Sequence, residues 1–305
     1  MPKAVLVGCV GSTALAAETL IRSKDWSLEL IVTLELSAAK RHSDFVDLAG
    51  LAGEAGARLF RTLNSNSAEC LQAITDADVD YIFVIGWSQL CREEFMQLKP
   101  DRIIGYHPAA LPRLRGRAAL PWTILLEEPI TAGSLMWLGN DVDDGDLIDQ
   151  QFFHVAPDEY AETLYAKHQA ALEVMLERSL AKIASGQLPS QPQDPRYATY
   201  AAKRTLADGL IDWNDSAIAI DRLVRAVGKP YPGAFTFVGE DRLTIWRSSP
   251  LPDSGIYHAM TGQIVERTQE QLTIMTGEGL LRVEEWETAS DKTPRQHAVL
   301  GNERS

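Results

Sequence analysis

The sequence predicts an α/β fold: a doubly wound, mostly parallel sheet followed by a smaller β-rich domain. Three observations predict it. Short apolar runs alternate with stretches of helical periodicity through the first 185 residues. The chain opens as strand, glycine turn and helix, with Ala4–Gly8 apolar, then Cys9-Val10-Gly11-Ser12, then apolar positions at helical spacing from Thr13 to Ile21. Beyond residue 204 the apolar runs are short, alternate with polar residues and are punctuated by glycine, the pattern of a small barrel.

Taken in order, Leu30–Leu34 is the second strand. Ser43–Gly56 reads as a helix, with Ser43 as its N-cap and Gly56 as its C-terminal stop. Ser67–Ile74 is a further short helix. Tyr81–Ile85 is apolar throughout, the mark of a central parallel strand. It ends in Gly86-Trp87-Ser88-Gln89-Leu90, before a helix over Glu93–Leu98. Gly86 permits close approach of a backbone or a ligand. Trp87 and Gln89 at a strand's carboxyl end suit a planar, hydrogen-bonding ligand; packing and solvation are the competing account.

Ile103 and Ile104 begin a strand that ends at His107, because Pro108 cannot donate to a sheet ladder. Pro112 stiffens the loop that follows, which carries Arg113, Arg115, Gly116 and Arg117. A histidine at the end of a buried strand, in a proline-fixed loop, lies where open α/β sheets place their chemistry. Ala118–Glu127 reads as a helix and Ile130–Leu138 as the next strand. That strand leads to Asp141, Asp143, Asp144 and Asp146 around Gly145. The spacing fails a calcium-hand loop, since no glutamate closes it and no helix pair flanks it. A plain turn remains, or an aspartate that partners His107 from the carboxyl end of a neighbouring strand.

Gln150–Val155 is a strand, and Asp158 or Glu159 opens a long amphipathic helix to about Ser185. His154 and His168 read as structural or surface residues rather than catalytic ones. Gly186–Pro195 is polar, proline-rich and without period, which predicts a linker over 186–203 between domains at 1–185 and 204–305. The second domain reads as a helix over Asp215–Val227, a turn at Pro230–Gly233, a hairpin of Ala234–Val238 and Arg242–Arg247, and strands at Gly262–Glu266, Gln271–Thr276 and Leu280–Trp286.

Composition narrows the function. Of 305 residues, 29 are Lys or Arg against 42 Asp or Glu, a net charge of −13, which argues against a general nucleic-acid or anionic-membrane binder. Three cysteines show no metal or disulfide spacing, which fits a reduced, cytoplasmic setting. No apolar run is long enough to span a bilayer, and Met1-Pro2-Lys3 leads straight into the first strand without a secretory pattern.

Gly105-Tyr106-His107-Pro108-Ala109-Ala110-Leu111-Pro112-Arg113-Leu114-Arg115-Gly116, followed by Asp143-Asp144-Gly145-Asp146, resembles the core motif N-x-H-x-S-L-L-P-x-x-R-G and later D-x-G-D of the formyltransferases that use 10-formyltetrahydrofolate. The second domain is similar to the C-terminal domain of methionyl-tRNA and aminoarabinose formyltransferases, through Arg204–Trp213, Leu223–Val227, Pro230–Phe235 and Thr261–Val265. The resemblance implies a Rossmann-like sheet, a β-barrel-like C-terminal domain of the OB type, and formyl transfer from 10-formyltetrahydrofolate without a metal.

It also implies residue roles. His107 would steady the oxyanion, and Asp143 would set the charge of His107 and help move protons. The pterin would sit near Gly86, Trp87, Ser88, Gln89 and Leu90, walled by Leu138, Asn140 and Asp141. The family's catalytic asparagine falls on Gly105 and its serine on Ala109, so a hydrogen-bond donor is missing; Gln89, Asn140 or a water is the expected substitute. The second domain mixes Asp208, Asp212, Asp215, Glu240, Asp241, Glu284, Glu285 and Glu287 with Arg222, Arg225, Lys229, Arg242 and Arg247, which is not a surface built to neutralise tRNA phosphates. The acceptor expected is therefore a small amine, an amino sugar on a nucleotide. Arg113, Arg115 and Arg117 either meet its diphosphate or tie their loop down. Methionyl-tRNA formylation, hydrolysis of formyltetrahydrofolate and folate binding without turnover stand as alternatives. Oligomeric state cannot be read from the sequence.

Overall fold

The computed structural model describes residues 1–41, 44–252, 255–290 and 292–301. The chain forms two compact units. One comprises Met1–Ala119, Ile130–His154 and Tyr165–Ala202, the other Leu120–Pro129, Val155–Leu164 and Lys203–Ser305.

The first unit is built on a seven-stranded sheet. Its strands are β1 (Lys3–Val7), β2 (Ser27–Leu34), β3 (Arg58–Thr62), β4 (Tyr81–Val84), β5 (Ile103–His107), β7 (Ile130–Trp137) and β8 (Leu147–His154), in the order β3-β2-β1-β4-β5-β7-β8. A short ladder of β6 (Arg115–Gly116) with β9 (Tyr200–Ala201) stands apart. Pairings from β3 through β5 are parallel, whereas β5·β7 and β7·β8 are antiparallel. The central parallel strands β1 and β4 are apolar on both faces because helices cover both. On one face α1 (Gly11–Arg22) and α6 (Ala161–Ala184) supply Ala16, Leu20, Leu172, Met175, Leu176 and Leu180 to the core. On the other, α3 (Ala68–Thr75) and α4 (Glu93–Met96) supply Cys70, Ile74 and Phe95. Each buried leucine, isoleucine, methionine or phenylalanine among them stabilises the fold by about 1.5–3 kcal/mol relative to exposure.

Two glycines bring the strand ends together. A Cβ on Gly8 would lie 2.0 Å from Ile85 O, and one on Gly86 would lie 2.4 Å from the Val10 side chain. The Thr13 hydroxyl donates to Ile85 O at 2.6 Å across the same turn. Gly86 thus admits the protein's own first helix.

Several elements differ from the sequence expectation. The helix read at 43–56 begins only at Ala49, as α2 (Ala49–Ala55), because Val46 N–H donates to Cys9 O and Phe45 bridges Val10. Its stop stands, with Gly56 left-handed at φ 66°; Ser43 lies outside the described residues. β3 has no apolar run of its own and draws its pattern from pairing with β2. The stretch read as a linker is strapped to the first unit. Gln191 bridges Leu147, Trp137 Nε1–H donates to Pro189 O at 2.9 Å, and Thr199 N–H donates to Pro112 O.

The second unit carries α5 (Ala119–Leu125) from Leu120 onward, α7 (Ala217–Val227), and an antiparallel sheet in the order β10-β11-β14-β13-β12. These strands are β10 (Ala234–Val238), β11 (Asp241–Leu251), β12 (Ile264–Arg267), β13 (Leu272–Met275) and β14 (Leu280–Thr288). Ser216 caps α7 by accepting from Ala219 N–H. The chain end bridges both edge regions, Gly301 to Phe237 in β10 and Val299 to Gln263 beside β12, so one segment gives the sheet its barrel-like closure. Leu243, Ile245, Ile264, Leu272, Ile274, Leu281 and Val283 fill the interior. Among the described residues no helix is long and apolar enough to cross a membrane.

Candidate active site

Alternation along β5 sends Gly105 and His107 to one face and Ile104 and Tyr106 to the other. His107 is buried at the strand's end. Its Nε2–H donates to Leu114 O at 2.7 Å, and its Nδ1 lies 3.5 Å from Asp143 Oδ2. Both ring nitrogens therefore face acceptors. The same carboxylate oxygen accepts from Gly116 N–H at 2.8 Å. The loop beyond His107 is anchored to its neighbours: Ser134 Oγ–H donates to Ala109 O at 2.6 Å, and the Gln150 amide donates to Leu111 O at 3.0 Å.

His107 and Asp143 meet by a route the sequence did not suggest. β7 runs antiparallel to β5, with Ile104 opposite Trp137 and His107 opposite Ser134. The carboxyl end of β7 thus lies beside the start of β5, away from His107. The connection to β8 turns back over the sheet face and carries Asp143 to the histidine. This loop is closely built: a Cβ on Gly145 would fall 1.7 Å from Trp137 O, so only glycine fits. The aspartates face separate partners. Asp144 accepts from Asp141 N–H at 3.1 Å and Asp146 from the Ser190 hydroxyl at 2.5 Å.

Leu114 and Asp143, which pair with the imidazole nitrogens, both have left-handed backbones, at φ 56° and 51°. That conformation costs a non-glycine residue about 1–2 kcal/mol, and it persists only where the surroundings over-determine it. Thr199 Oγ holds Leu114 N–H at 2.9 Å. Gln193 donates its amide to Asp143 O at 2.8 Å and to Gly145 O at 2.7 Å.

The remaining expected residues divide clearly. Arg115 is buried, and its guanidinium donates to Gln193 Oε1 at 3.2 and 2.8 Å; it ties its loop down. Arg113 and Arg117 are exposed. Gln89, expected as a substitute donor, is engaged elsewhere: its amide donates to Leu63 O at 2.7 Å and its carbonyl accepts from Ser65 N–H at 3.1 Å. Trp87 packs in the core and donates to Ser65 Oγ at 3.0 Å. Ser88, Leu90, Asn140 and Asp141 are exposed, and Leu138 is half-buried. The main-chain N–H and C=O groups of Trp87 and Ser88 have no hydrogen-bond partner among the described residues. Behind the site, Tyr106 and His168 pair at 3.1 Å. His168 stacks edge-on against Phe153, and burial pushes its pKa down to about 3, helped by the charge of His107.

Leu114, Gly116 and Gln193 were not singled out as site residues from the sequence. The first two act through main-chain atoms, which leave no trace in residue type. Gln193 lies in a stretch with no periodicity.

Residues 32–179 match the family described as formyl transferase, and residues 203–302 match formyl transferase, C-terminal domain. The chain belongs to the formyl transferase family. It is thus an enzyme that transfers a formyl group, as its motifs implied. Solved structures repeat this fold. An N-formyltransferase from Helicobacter canadensis, in complex with folinic acid and dTDP-3-aminofucose, is 17% identical with a TM-score of 0.68, covering 94% of this chain and 100% of that one. WlaRD, a sugar 3N-formyl transferase solved with dTDP and 5-N-formyl-THF, is 15% identical with a TM-score of 0.67, over 94% and 98% of the two chains. HypX from Aquifex aeolicus, in complex with tetrahydrofolic acid, is 15% identical with a TM-score of 0.66, over 95% of this chain and 44% of that one.

Proposed function

We propose that this formyl transferase moves the formyl group of 10-formyltetrahydrofolate to the primary amine of a nucleotide-linked amino sugar, with His107 and Asp143 carrying the chemistry in the cytoplasm. The observation that carries the reading is the buried His107, held 3.5 Å from Asp143 at the end of β5. A neutral amine attacks the formyl carbon and negative charge gathers on the formyl oxygen. The Nε2–H that donates to Leu114 O is the group this oxygen shares or takes over, in the manner of an oxyanion hole. As the tetrahedral intermediate collapses, the carbon–nitrogen bond to the folate breaks. The attacking amine loses a proton and the leaving nitrogen gains one, with Asp143 placed to pass it. The unpartnered main-chain groups of Trp87 and Ser88 suit the hydrogen-bonding edge of a pterin.

The small acceptor is supported by five cations of the second unit that are engaged within that unit. Arg222 pairs with Glu127 at 2.7 Å, Arg225 with Asp221 at 2.8 Å, and Lys229 with Glu285 at 3.4 Å. Arg242 lies over Phe235 and Arg247 over Tyr160. None of these arrangements favours a tRNA backbone. The sugar-nucleotide relatives lean the same way, and exposed Arg113 and Arg117 suit a diphosphate. The test is turnover of 10-formyltetrahydrofolate with a panel of dTDP- and UDP-linked amino sugars, with initiator methionyl-tRNA, and with no acceptor. Turnover that needs one amino sugar supports the reading. Turnover with tRNA alone, or formate release that ignores every amine, removes it.

A further inference from the structure

We propose that Gln193 is a positioning residue for the His107–Asp143 pair. The proposal rests on the reading that this pair carries the reaction. Gln193 lies outside the motif, in the proline-rich stretch after α6, yet its side chain joins the two loops that close on the histidine. Its amide N–H groups donate to Asp143 O and Gly145 O, on either side of Asp144. Its Oε1 accepts both donors from Arg115, which follows directly on Leu114. Both polar functions of Gln193, its amide N–H groups and its Oε1, are thus spent on one clamp, and Arg115 is only 6% exposed.

The clamp acts where the backbone needs it. Asp143 and Leu114 are the residues paired with the two imidazole nitrogens, and both are held left-handed. Gly116 N–H fixes the Asp143 side chain, while Gln193 fixes its main chain. Without the second hold, Asp143 is free to relax to an ordinary backbone angle, which swings its carboxylate away from His107. A displacement of about 1 Å of a reacting group is enough to cost about a hundred-fold in rate.

The discriminating variant is Gln193→Glu, which keeps an acceptor for Arg115 and turns a carboxylate oxygen toward two carbonyls. Gln193→Ala is the second variant. The expected result is a loss of about ten- to a hundred-fold in kcat, with KM for the formyl donor little changed and faster amide exchange confined to residues 138–146. His107→Ala runs alongside. Wild-type rates in Gln193→Glu, with activity lost in His107→Ala, overturn the proposal alone. Full turnover in His107→Ala overturns the site reading and this proposal with it. Unchanged exchange in the 138–146 loop, or exchange that spreads through β1–β5 in both Gln193 variants, also overturns it, because Gln193 then holds nothing or holds the whole fold.

Discussion

Leu138 occupies the space in front of Gly105: a Cβ built on Gly105 would lie 2.4 Å from Leu138 Cδ2. The motif resemblance sets the family's asparagine at this residue, where the chain instead makes an apolar contact. The leucine also lies at the root of the loop that carries Asp143, with its N–H bonded to Ile103 O at 2.8 Å. A reversion to the motif therefore requires the Leu138 side chain to shift.

Gly105→Asn by itself is expected to lower stability by about 1–3 kcal/mol through overpacking and to reduce turnover. Gly105→Asn with Leu138→Ala removes the clash and is expected to recover stability and to exceed Leu138→Ala in kcat. Thermal unfolding and steady-state rates check both. A single Gly105→Asn as stable as wild type would show that Leu138 yields freely.

His107→Ala is expected to lower kcat by about a hundred- to a thousand-fold, the usual cost of one oxyanion donor. Asp143→Asn retains an oxygen for Gly116 N–H but loses the charge beside the imidazole, and should cost about a hundred-fold or more. Steady-state kinetics with saturating donor separates these from binding losses. Asp143→Asn at wild-type rate would mean that the pair at 3.5 Å has no part in proton transfer.

Gln89→Ala should leave kcat unchanged. Its amide is committed to Leu63 O and Ser65 N–H, so the loss falls on the 63–66 loop, at about 1 kcal/mol for each bond. Urea unfolding reads the stability. A kcat loss with unaltered stability would return Gln89 to the site.

His168 predicts an acid sensitivity. Its folded pKa of about 3 lies below the unfolded value of 6.5, so the unfolded chain takes up the proton first as pH falls. The contribution is complete above pH 6.5 and drains by about 1.4 kcal/mol per pH unit toward pH 3. Between pH 7 and pH 5 the loss is about 2 kcal/mol. His168→Gln should remove that part of the difference in urea unfolding at the two pH values, and an identical pH dependence in the variant would contradict it.

Much of the architecture was legible in the sequence because it follows from local periodicity. The apolar runs at Ala4–Gly8 and Tyr81–Ile85, the glycine turns and the short helix at Ser67–Ile74 depend on neighbours in the chain, and the structure keeps them. β3 was not legible: Arg58 and Arg61 break its apolar pattern, and its strand character comes from pairing with β2. The start of α2 was misplaced because Phe45 and Val46 are drawn away by Val10 and Cys9, far off in sequence.

By itself the sequence determined the motif residues, His107 and Asp143 among them, and the two-part α/β and β organisation, since these are matters of residue type and spacing. Only the tertiary structure decided how they come together. The antiparallel pairing of β5 with β7 places the end of β7 away from His107, and the loop must fold back to deliver Asp143. Only the fold turned Arg115 inward and Gln193 toward two carbonyls, because such contacts join residues some fifty to eighty apart, as with Arg115 and Gln193 at a separation of 78. Hydrogen bonds to main-chain atoms carry no signature in residue type, so Leu114, Gly116 and the clamp that holds Asp143 become visible only once the chain has closed on itself.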